Sequence, residues 1–294
     1  MIRIGAILVG LFFAGVVLLW SFSQGAYTHF TEEAEKGPEY VFYIPPKSPE
    51  GGFAHDGAFG KWDVAQLQRG YQVYKEVCAA CHSLEFVAFR NLEEIGYSEE
   101  QVKAEAASWM VPGINPDTGE DTLRAGLPTD AFPSPYPNDI AAAAANNNAI
   151  PPDLSLITKA RKKGPEYVYS LLAGYEIAGP QGYEHEGKVL SEMFPDFQTV
   201  APLYFNPYFE YLNIAMAPPL VVDGQVTYSD GTESTVPQMS ADVAAFLTWA
   251  GEPTMVERKQ TGWVVLGFVL VATILAWLAK KQLWAGLKSG KRKD

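Results

Sequence analysis

Hydrophobic residues are concentrated in two long uncharged stretches, one near each end of the chain. The stretch from Thr261 to Ala279 has 19 residues without a charge, close to the roughly 20 that a helix needs to cross a bilayer. Trp263 and Trp277 lie near its two ends, where tryptophan rings favour the membrane interface. A buried core helix is the alternative, but a soluble domain rarely needs so long an uncharged run. The pattern therefore predicts a transmembrane anchor over residues 257–280.

The stretch near the N-terminus, residues 1–26, has two interpretations. Arg3 precedes an apolar run from Ile4 to Trp20, and no charged side chain follows before Glu32. A secretory signal has an apolar region of about 7–15 residues and a small-residue cleavage site. The run here is longer, and Ser23-Gln24-Gly25 is a weak cleavage site. We favour a retained anchor over a cleaved signal, and either one exports the residues that follow.

Between these stretches, the periodicity predicts a mainly helical domain over residues 61–256. Apolar residues recur at steps of three and four positions, and Asp63 and the Ser98-x-x-Gln101 capping box mark two helix starts. Helices are expected over residues 62–83, 98–109, 154–160 and 165–173, with a last one that begins at Ser240. Residues 27–60 are rich in Pro and Gly and should form an extended arm.

Two segments of the domain lack helical periodicity. Six prolines within residues 111–139 exclude a long helix there and predict an irregular surface excursion. Residues 178–238 contain many turn residues, and Asp223-Gly224 with Asp230-Gly231 predicts a small hairpin. The alanine run 141–145 predicts a short helix that ends in asparagines. Loops of this length are unusual in a compact domain unless something, such as a large bound cofactor, organises them.

The distribution of charge predicts how the chain is oriented across the membrane. The net charge is −12, which excludes a general nucleic-acid binder because such a protein needs a basic face. Six basic residues and one acidic residue lie between Lys280 and Asp294, so the rest of the chain holds 16 basic and 33 acidic residues. Basic segments beside a membrane span stay on the cytoplasmic side. The tail, residues 281–294, is therefore expected inside and the acidic domain outside.

The two cysteines of the chain form one motif, Cys78-Ala79-Ala80-Cys81-His82. Two thiols at this spacing can form thioethers to one porphyrin edge, and His82 can then be the proximal ligand of the iron. A redox dithiol is one alternative, but it belongs in a βαβ context that the pattern does not show. A zinc site is the other, but no second cysteine pair supplies its remaining ligands. The motif predicts one covalent haem c.

The residues alone leave several candidates for the sixth iron ligand. The candidates are Met110, Met193, Met216, Met239, His29, His55 and His185. A buried methionine is most often core filler. Met216 differs because Pro218 and Pro219 stiffen an apolar segment that cannot be helical. A Met ligand would also raise the reduction potential of the haem.

Several longer motifs follow one another along the chain: CAACHSL (78–84), VAFR (87–90), PYPN (135–138), AANN (144–147), PPDLSLI (151–157), AR (160–161), YFNPYF (204–209), MAPPL (216–220) and FLTWAGEP (246–253). In this order, they resemble the cytochrome c1 family over about residues 60–285. An ordered series of this kind is far more specific than any one motif.

The resemblance implies a fold and a set of site residues. The fold would be similar to class I cytochrome c, with long loop insertions and a C-terminal transmembrane helix. The N-terminal membrane helix is expected from its apolar run and not from the resemblance, because bacterial relatives usually begin with a cleaved signal. Met216 would be the sixth ligand, Arg161 would lie near a haem propionate, and Tyr167 is a further candidate on that side. Gly70 would cross the last helix at Phe246, because a glycine permits close helix approach.

The resemblance also implies a function, which is electron transfer in a quinol–cytochrome c oxidoreductase. The chain would pass electrons from a Rieske iron–sulfur protein to a cytochrome c, beside a cytochrome b subunit in a dimeric complex. The haem domain would lie on the periplasmic side of the inner membrane, and the isolated chain would not be an enzyme. One alternative is the haem subunit of another respiratory complex, such as a nitric oxide reductase. Another is a peroxidase-like enzyme with an open sixth position.

Overall fold

The computed structural model describes residues 2–31, 36–177 and 179–289, and in this part of the chain the fold is mainly helical. The α-helices are α1 (Ile2–Thr31), α2 (Pro38–Phe42), α3 (Val64–Glu76), α4 (Glu99–Ala107), α5 (Asp139–Ala145), α6 (Ile157–Ala160), α7 (Gly164–Ala173), α8 (Leu190–Met193), α9 (Val236–Gly251) and α10 (Met255–Ser289). Short 3₁₀ turns cover Cys78–Ala80, Phe89–Ile95 and Gly174–Glu176.

The strands are short and form two-stranded antiparallel pairs. They are β1 (Leu84–Ala88), β2 (Met110–Ile114), β3 (Asp121–Ala125), β4 (Ala131–Phe132), β5 (Glu184–His185), β6 (Lys188–Val189), β7 (Tyr204–Phe205) and β8 (Asn213–Ile214). The pairs are β1 with β4, β2 with β3, β5 with β6 and β7 with β8. The fold therefore depends on helix packing, with the strands tying loops together.

Local capping signals set the starts of α3 and α4 as predicted. The Asp63 carboxylate accepts a hydrogen bond from the backbone N–H of Gln66 at 3.1 Å. Ser98 and Gln101 form a reciprocal capping box, with hydrogen bonds of 3.3 and 2.8 Å. These side chains satisfy N–H groups that a helix leaves without partners in its first turn.

The centre of the domain is the crossing of α3 and α9. A Cβ atom on Gly70 would lie 2.6 Å from the Cβ of Phe246 and would also overlap the Asp242 carbonyl, so the helices approach as closely as glycine allows. Tyr71 and Tyr74 pack against Phe246, with ring centroids 5.6 and 5.9 Å apart. The prediction of a close crossing at Gly70 is confirmed.

A smaller hydrophobic cluster lies between the arm and the loops after α7. Phe42, on the short helix α2, is fully buried against Tyr183, Leu190 and Phe205. The predicted extended arm is therefore mostly irregular but contains a helical turn, and its first part belongs to α1. Residues 32–35 of the arm lie outside the described part of the chain.

Several predicted helix boundaries are wrong. The helix expected over residues 62–83 ends at Glu76, because the haem motif turns into a 3₁₀ segment. The last soluble helix begins at Val236 rather than at Ser240, since Thr235 is its N-cap and accepts from the Gln238 N–H at 3.2 Å. Ser240 lies inside the helix, and its hydroxyl donates to the Val236 carbonyl at 2.7 Å.

Two loop predictions are also wrong in part. The segment predicted to be an irregular excursion contains the β2–β3 hairpin, in which Pro112 pairs with Leu123. A two-stranded ribbon tolerates proline because one side of each strand has no partner. The hairpin expected near Asp223 has no strands; instead the Asp223 carboxylate accepts from the Val236 N–H at 2.7 Å and closes a loop onto α9.

Helices α1 and α10 have exposed, apolar surfaces. The segments Gly5–Ser23 and Met255–Gly286 are long and apolar enough to cross a bilayer, by length and composition. No residue is buried in the most apolar window of either segment, although Met255 and Val256 at the start of α10 are buried against the domain. Large apolar side chains thus face outward along both helices, as expected for surfaces that contact lipid.

Candidate haem site

The cysteine motif lies at the C-terminal end of α3. The backbone N–H groups of Cys81 and His82 donate to the Cys78 carbonyl at 3.1 and 2.9 Å, which winds the motif into one tight turn. Both cysteines are partly buried, and Cys78 packs against the main core. Desolvation, together with the nearby Cys81, raises the pKa of the Cys78 thiol to about 12.

The ring of His82 is oriented by a backbone carbonyl. Its Nδ1 atom lies 2.7 Å from the Pro152 oxygen. A carbonyl oxygen can only accept, so Nδ1 carries the proton and the lone pair is on Nε2. Desolvation lowers the pKa of His82 although Pro152 and Asp153 oppose this effect, which favours the neutral ring. A neutral imidazole with one nitrogen fixed by a hydrogen bond is the usual form of a metal-ligating histidine.

Asp153 joins the motif to the segment that orients His82. Its carboxylate accepts hydrogen bonds from the Ser83 hydroxyl and the Glu85 N–H, both at 2.9 Å. The Leu154 N–H donates to the Ser83 carbonyl at 3.0 Å. Sequence reasoning missed this role of Asp153. The signal was the Asp-x-Ser pattern after two prolines, in which Asp153 also accepts from the Ser155 N–H at 2.9 Å.

Met216 lies on a loop that is fixed by three side-chain hydrogen bonds and by the burial of Leu220. The Tyr175 hydroxyl donates to the Met216 carbonyl at 2.8 Å. The Gln225 side chain donates to the Pro219 carbonyl at 2.7 Å and accepts from the Val221 N–H at 2.9 Å. Leu220 is buried in the main core. The Met216 side chain is half-buried against that core, as Cys78 is. Tyr175 and Gln225 were not anticipated.

The other methionines have different environments. Met239 is fully buried inside α9, where it is core filler. Met110 and Met193 are 55% and 47% exposed. None of the three combines partial burial with a rigid, non-helical loop, which is the setting of Met216.

The histidine candidates lie on other elements of the chain. His55 lies in the arm, between the rings of Phe53 and Trp62 at 5.1 and 4.9 Å. His185 is half-buried on β5. His29 is on α1, and its side chain lies outside the described residues.

Arg161 and Tyr167 contact each other on the segment from α6 to α7. The Arg161 guanidinium lies over the Tyr167 ring, 6.0 Å from its centroid. Burial raises the pKa of the Tyr167 hydroxyl, although Arg161 opposes this effect. Arg161 is exposed, and none of the salt bridges formed among the described residues includes it. Its charge is thus available to a carboxylate that the chain itself does not supply.

These residues fit a haem. The motif offers two thiols and a neutral imidazole whose Nδ1 is hydrogen-bonded, and the Met216 loop offers a half-buried thioether. Arg161 offers a cation for a propionate. Within residues 2–31, 36–177 and 179–289, no three His, Cys, Asp or Glu side chains form a cluster that could hold a bare metal ion. The arrangement is chemically suited to a porphyrin-bound iron.

Comparisons with known proteins agree with this chemistry. Residues 53–287 match the profile of the Cytochrome C1 family. Cytochrome c1 of Rhodospirillum rubrum is 45% identical over 234 residues, which cover 79% of this chain and 85% of the relative. A protein of Arabidopsis thaliana called "Cytochrome c1 1, heme protein, mitochondrial" is 42% identical over 279 residues, covering 95% and 82%. A cytochrome b/c1 of Bradyrhizobium diazoefficiens is 44% identical over 246 residues, covering 81% of this chain and 36% of that protein. The chain therefore belongs to the cytochrome c1 family, whose members are membrane-anchored electron-transfer subunits with a single covalent haem c.

Proposed function

We propose that this chain accepts single electrons from a Rieske iron–sulfur protein and passes them to a cytochrome c. It does so as the haem c subunit of a quinol–cytochrome c oxidoreductase. The observation that carries the proposal is the oriented His82 ring within the cysteine motif, whose Nδ1 proton is committed to Pro152. Electron transfer makes and breaks no bonds, so it needs no acid–base pair, and we assign no catalytic residue. The isolated chain is accordingly proposed not to be an enzyme.

The site residues have distinct proposed roles. Cys78 and Cys81 would form the thioethers, and His82 and Met216 would bind the iron. Arg161 and Tyr167 would lie on the propionate side, where a guanidinium can hold a carboxylate with two hydrogen bonds. When bound, the haem would supply an iron that changes its charge by one electron. On the chain's side, Pro152 fixes the His82 ring, and Tyr175 fixes the backbone at Met216.

The assembly and its orientation follow from the family and the charge pattern. We propose a cytochrome b subunit as partner, consistent with the Bradyrhizobium protein whose name joins b and c1, within a dimeric complex. The haem domain, residues 61–256, is proposed to be periplasmic and the basic tail, residues 281–294, cytoplasmic, with no nucleic-acid partner. Residues 1–26 and 257–280 are the membrane segments and 27–60 the arm.

Replacement of the proposed sixth ligand tests this assignment. Leu is close to Met in size, so Met216→Leu keeps most of the packing and removes the sulfur. We expect the haem to stay attached, the potential to fall by on the order of a hundred millivolts, and the reduced iron to bind carbon monoxide. Quinol–cytochrome c turnover should fail while the complex assembles.

The matched controls are Met193→Leu and Met239→Leu, which change an exposed and a core methionine. Each should keep the parent potential. If Met216→Leu also keeps it and one control loses it, the ligand is that other methionine. If potentials are unchanged in all three, none of these three methionines is the ligand and the assignment of Met216 is wrong.

A further inference from the structure

The arm has an exposed aromatic tip that contacts the membrane anchor. Phe59 is 77% exposed, yet its ring stacks on that of Trp263 in α10, with centroids 5.3 Å apart and planes 13° from parallel. The Trp263 indole N–H donates to the Ala58 carbonyl at 3.2 Å. Two independent contacts thus fix the arm tip against the first turns of the anchor helix.

The rest of the loop is fixed at the same junction. The Lys259 ammonium group donates to the His55 carbonyl at 3.1 Å, and the Trp62 indole donates to the Pro253 carbonyl at 3.1 Å. His55 is 3% exposed and fills the space between Phe53 and Trp62. The loop Phe53–Trp62 therefore forms one body with the start of α10, and the exposed tip is not a freely moving loop end.

The position of Trp263 gives the depth of Phe59. Trp263 is the third residue of the uncharged run that begins at Thr261, and tryptophan at the end of a span lies at the membrane interface. Phe59, stacked on it, must lie at the same level. Val264 and Leu266, which follow Trp263 on α10, are 74% and 61% exposed, so the anchor presents apolar side chains to its surroundings from this level onward. A surface continuous with the lipid-facing side of a span is most simply covered by lipid.

We propose that the loop Phe53–Trp62 is a second membrane contact of this chain, in which Phe59 enters the headgroup boundary of the bilayer beside Trp263. Phenylalanine has no polar end that requires water, so this environment suits it better than an aqueous surface. The contact sets the angle of the haem domain on its anchor. It rests on the membrane anchorage of α10 and not on the identity of the iron ligands.

Collision accessibility of a single spin label tests the depth. Cys78 and Cys81 are the only cysteines of the chain and both are consumed by haem attachment, so an introduced cysteine is labelled selectively. Phe59→Cys, Val264→Cys and Ile140→Cys would be prepared in the haem-loaded full chain and labelled with a nitroxide. Each is placed in vesicles of phosphatidylethanolamine and phosphatidylglycerol, first alone and then in the assembled complex. Labelled parent complex supplies the background.

We expect the label at position 59 to collide with oxygen more than with a water-soluble nickel chelate, as the label at 264 does. The label at 140, on a residue 82% exposed on α5, should show the opposite preference. If position 59 behaves like 140, the loop lies in water and the proposal is wrong. If position 59 is protected from both reagents in the complex, a protein subunit covers the tip, which also overturns the proposal.

A second variant covers the case in which the cysteine disturbs the loop. Phe59→Trp keeps a ring that can stack on Trp263. Its added fluorescence should be quenched by lipids brominated close to the headgroup. If lipids brominated at any depth leave that added fluorescence unchanged, the tip does not enter the bilayer.

Discussion

Gly70→Ala should destabilise the haem domain even though alanine is the better helix former. An added Cβ would lie 2.6 Å from the Phe246 Cβ and 2.7 Å from the Asp242 carbonyl carbon. Carbon atoms in contact are about 3.5–4.0 Å apart, so α3 and α9 must separate by about 1 Å. A gap of that size forfeits about a quarter to a half of each dispersion contact, and Tyr71 and Tyr74 make such contacts across the crossing.

The magnitude follows from two opposing effects. Overpacking of a core costs about 1–3 kcal/mol, and the upper end applies because the clash is with backbone and not with a flexible side chain. Alanine in place of glycine in a helix returns about 1 kcal/mol. The net loss of unfolding free energy is therefore about 2 kcal/mol. For a domain of this size that corresponds to a fall in Tm of about 4–8 °C.

Thermal unfolding of the haem-loaded full chain in detergent, followed by circular dichroism, measures this change. Gly179→Ala is the control, because no atom lies within 4 Å of an added Cβ there, and its effect should stay within about 0.5 kcal/mol. A Gly70→Ala protein that melts at or above the parent temperature would show that helix propensity dominates. The crossing would then be looser than the structure has it.

Two further predictions concern hydrogen bonds. Tyr175→Phe removes the donor to the Met216 carbonyl, so reduced Tyr175→Phe protein should bind more carbon monoxide than the parent. The control is Tyr211→Phe, at a side chain that is 66% exposed, which should bind no more than the parent; equal binding in both variants would exclude Tyr175 as a positioning residue. Desolvation raises the pKa of Glu105, but hydrogen bonds from Lys75, Tyr71 and Trp109 outweigh it, so the native pKa is lowered below 4.5. The ionised Glu105 therefore stabilises the fold above pH 4.5. This stabilisation is lost as the pH falls through the lower native pKa. Glu105→Gln should therefore be less stable at neutral pH but lose less stability on acidification below pH 4.5, and an unchanged acid dependence in urea titrations would contradict this linkage.

Local patterns predicted those features that depend on neighbouring residues. The N-caps at Asp63 and Ser98 are found where expected because a cap is a contact between residues three positions apart. The uncharged runs predicted the two apolar helices because a run of consecutive apolar residues is also a local feature of the sequence. The β2–β3 hairpin was not predicted because proline is rare in strands. Pro112 is tolerated because β2 is an edge strand, in which one side needs no hydrogen-bond partner.

The orientation of His82 and the fixing of the Met216 loop depend on contacts between residues far apart in the sequence, and backbone carbonyls are the acceptors. Pro152, which orients His82, is 70 positions away, and Tyr175 is 41 positions from the Met216 carbonyl that it binds. A backbone carbonyl acceptor leaves no trace in the identity of its residue. The arm shows the same limit, since Lys259 binds the His55 carbonyl across 204 positions. The composition of the arm indicated an extended segment but could not indicate its partner.

The distribution of these contacts has a consequence for electron transfer. An electron carrier works fastest when its ligand geometry changes little between oxidation states, so the two groups proposed to bind the iron should be held before the electron arrives. His82 is held by a carbonyl that is itself tied to the motif through Asp153. The Met216 loop has no regular structure, yet Tyr175 and Gln225 hold it at two carbonyls. The long loop that bears Met216 is therefore held by partly buried side chains and not by a helix or a sheet, so it can be rigid enough for the ligand role proposed for Met216.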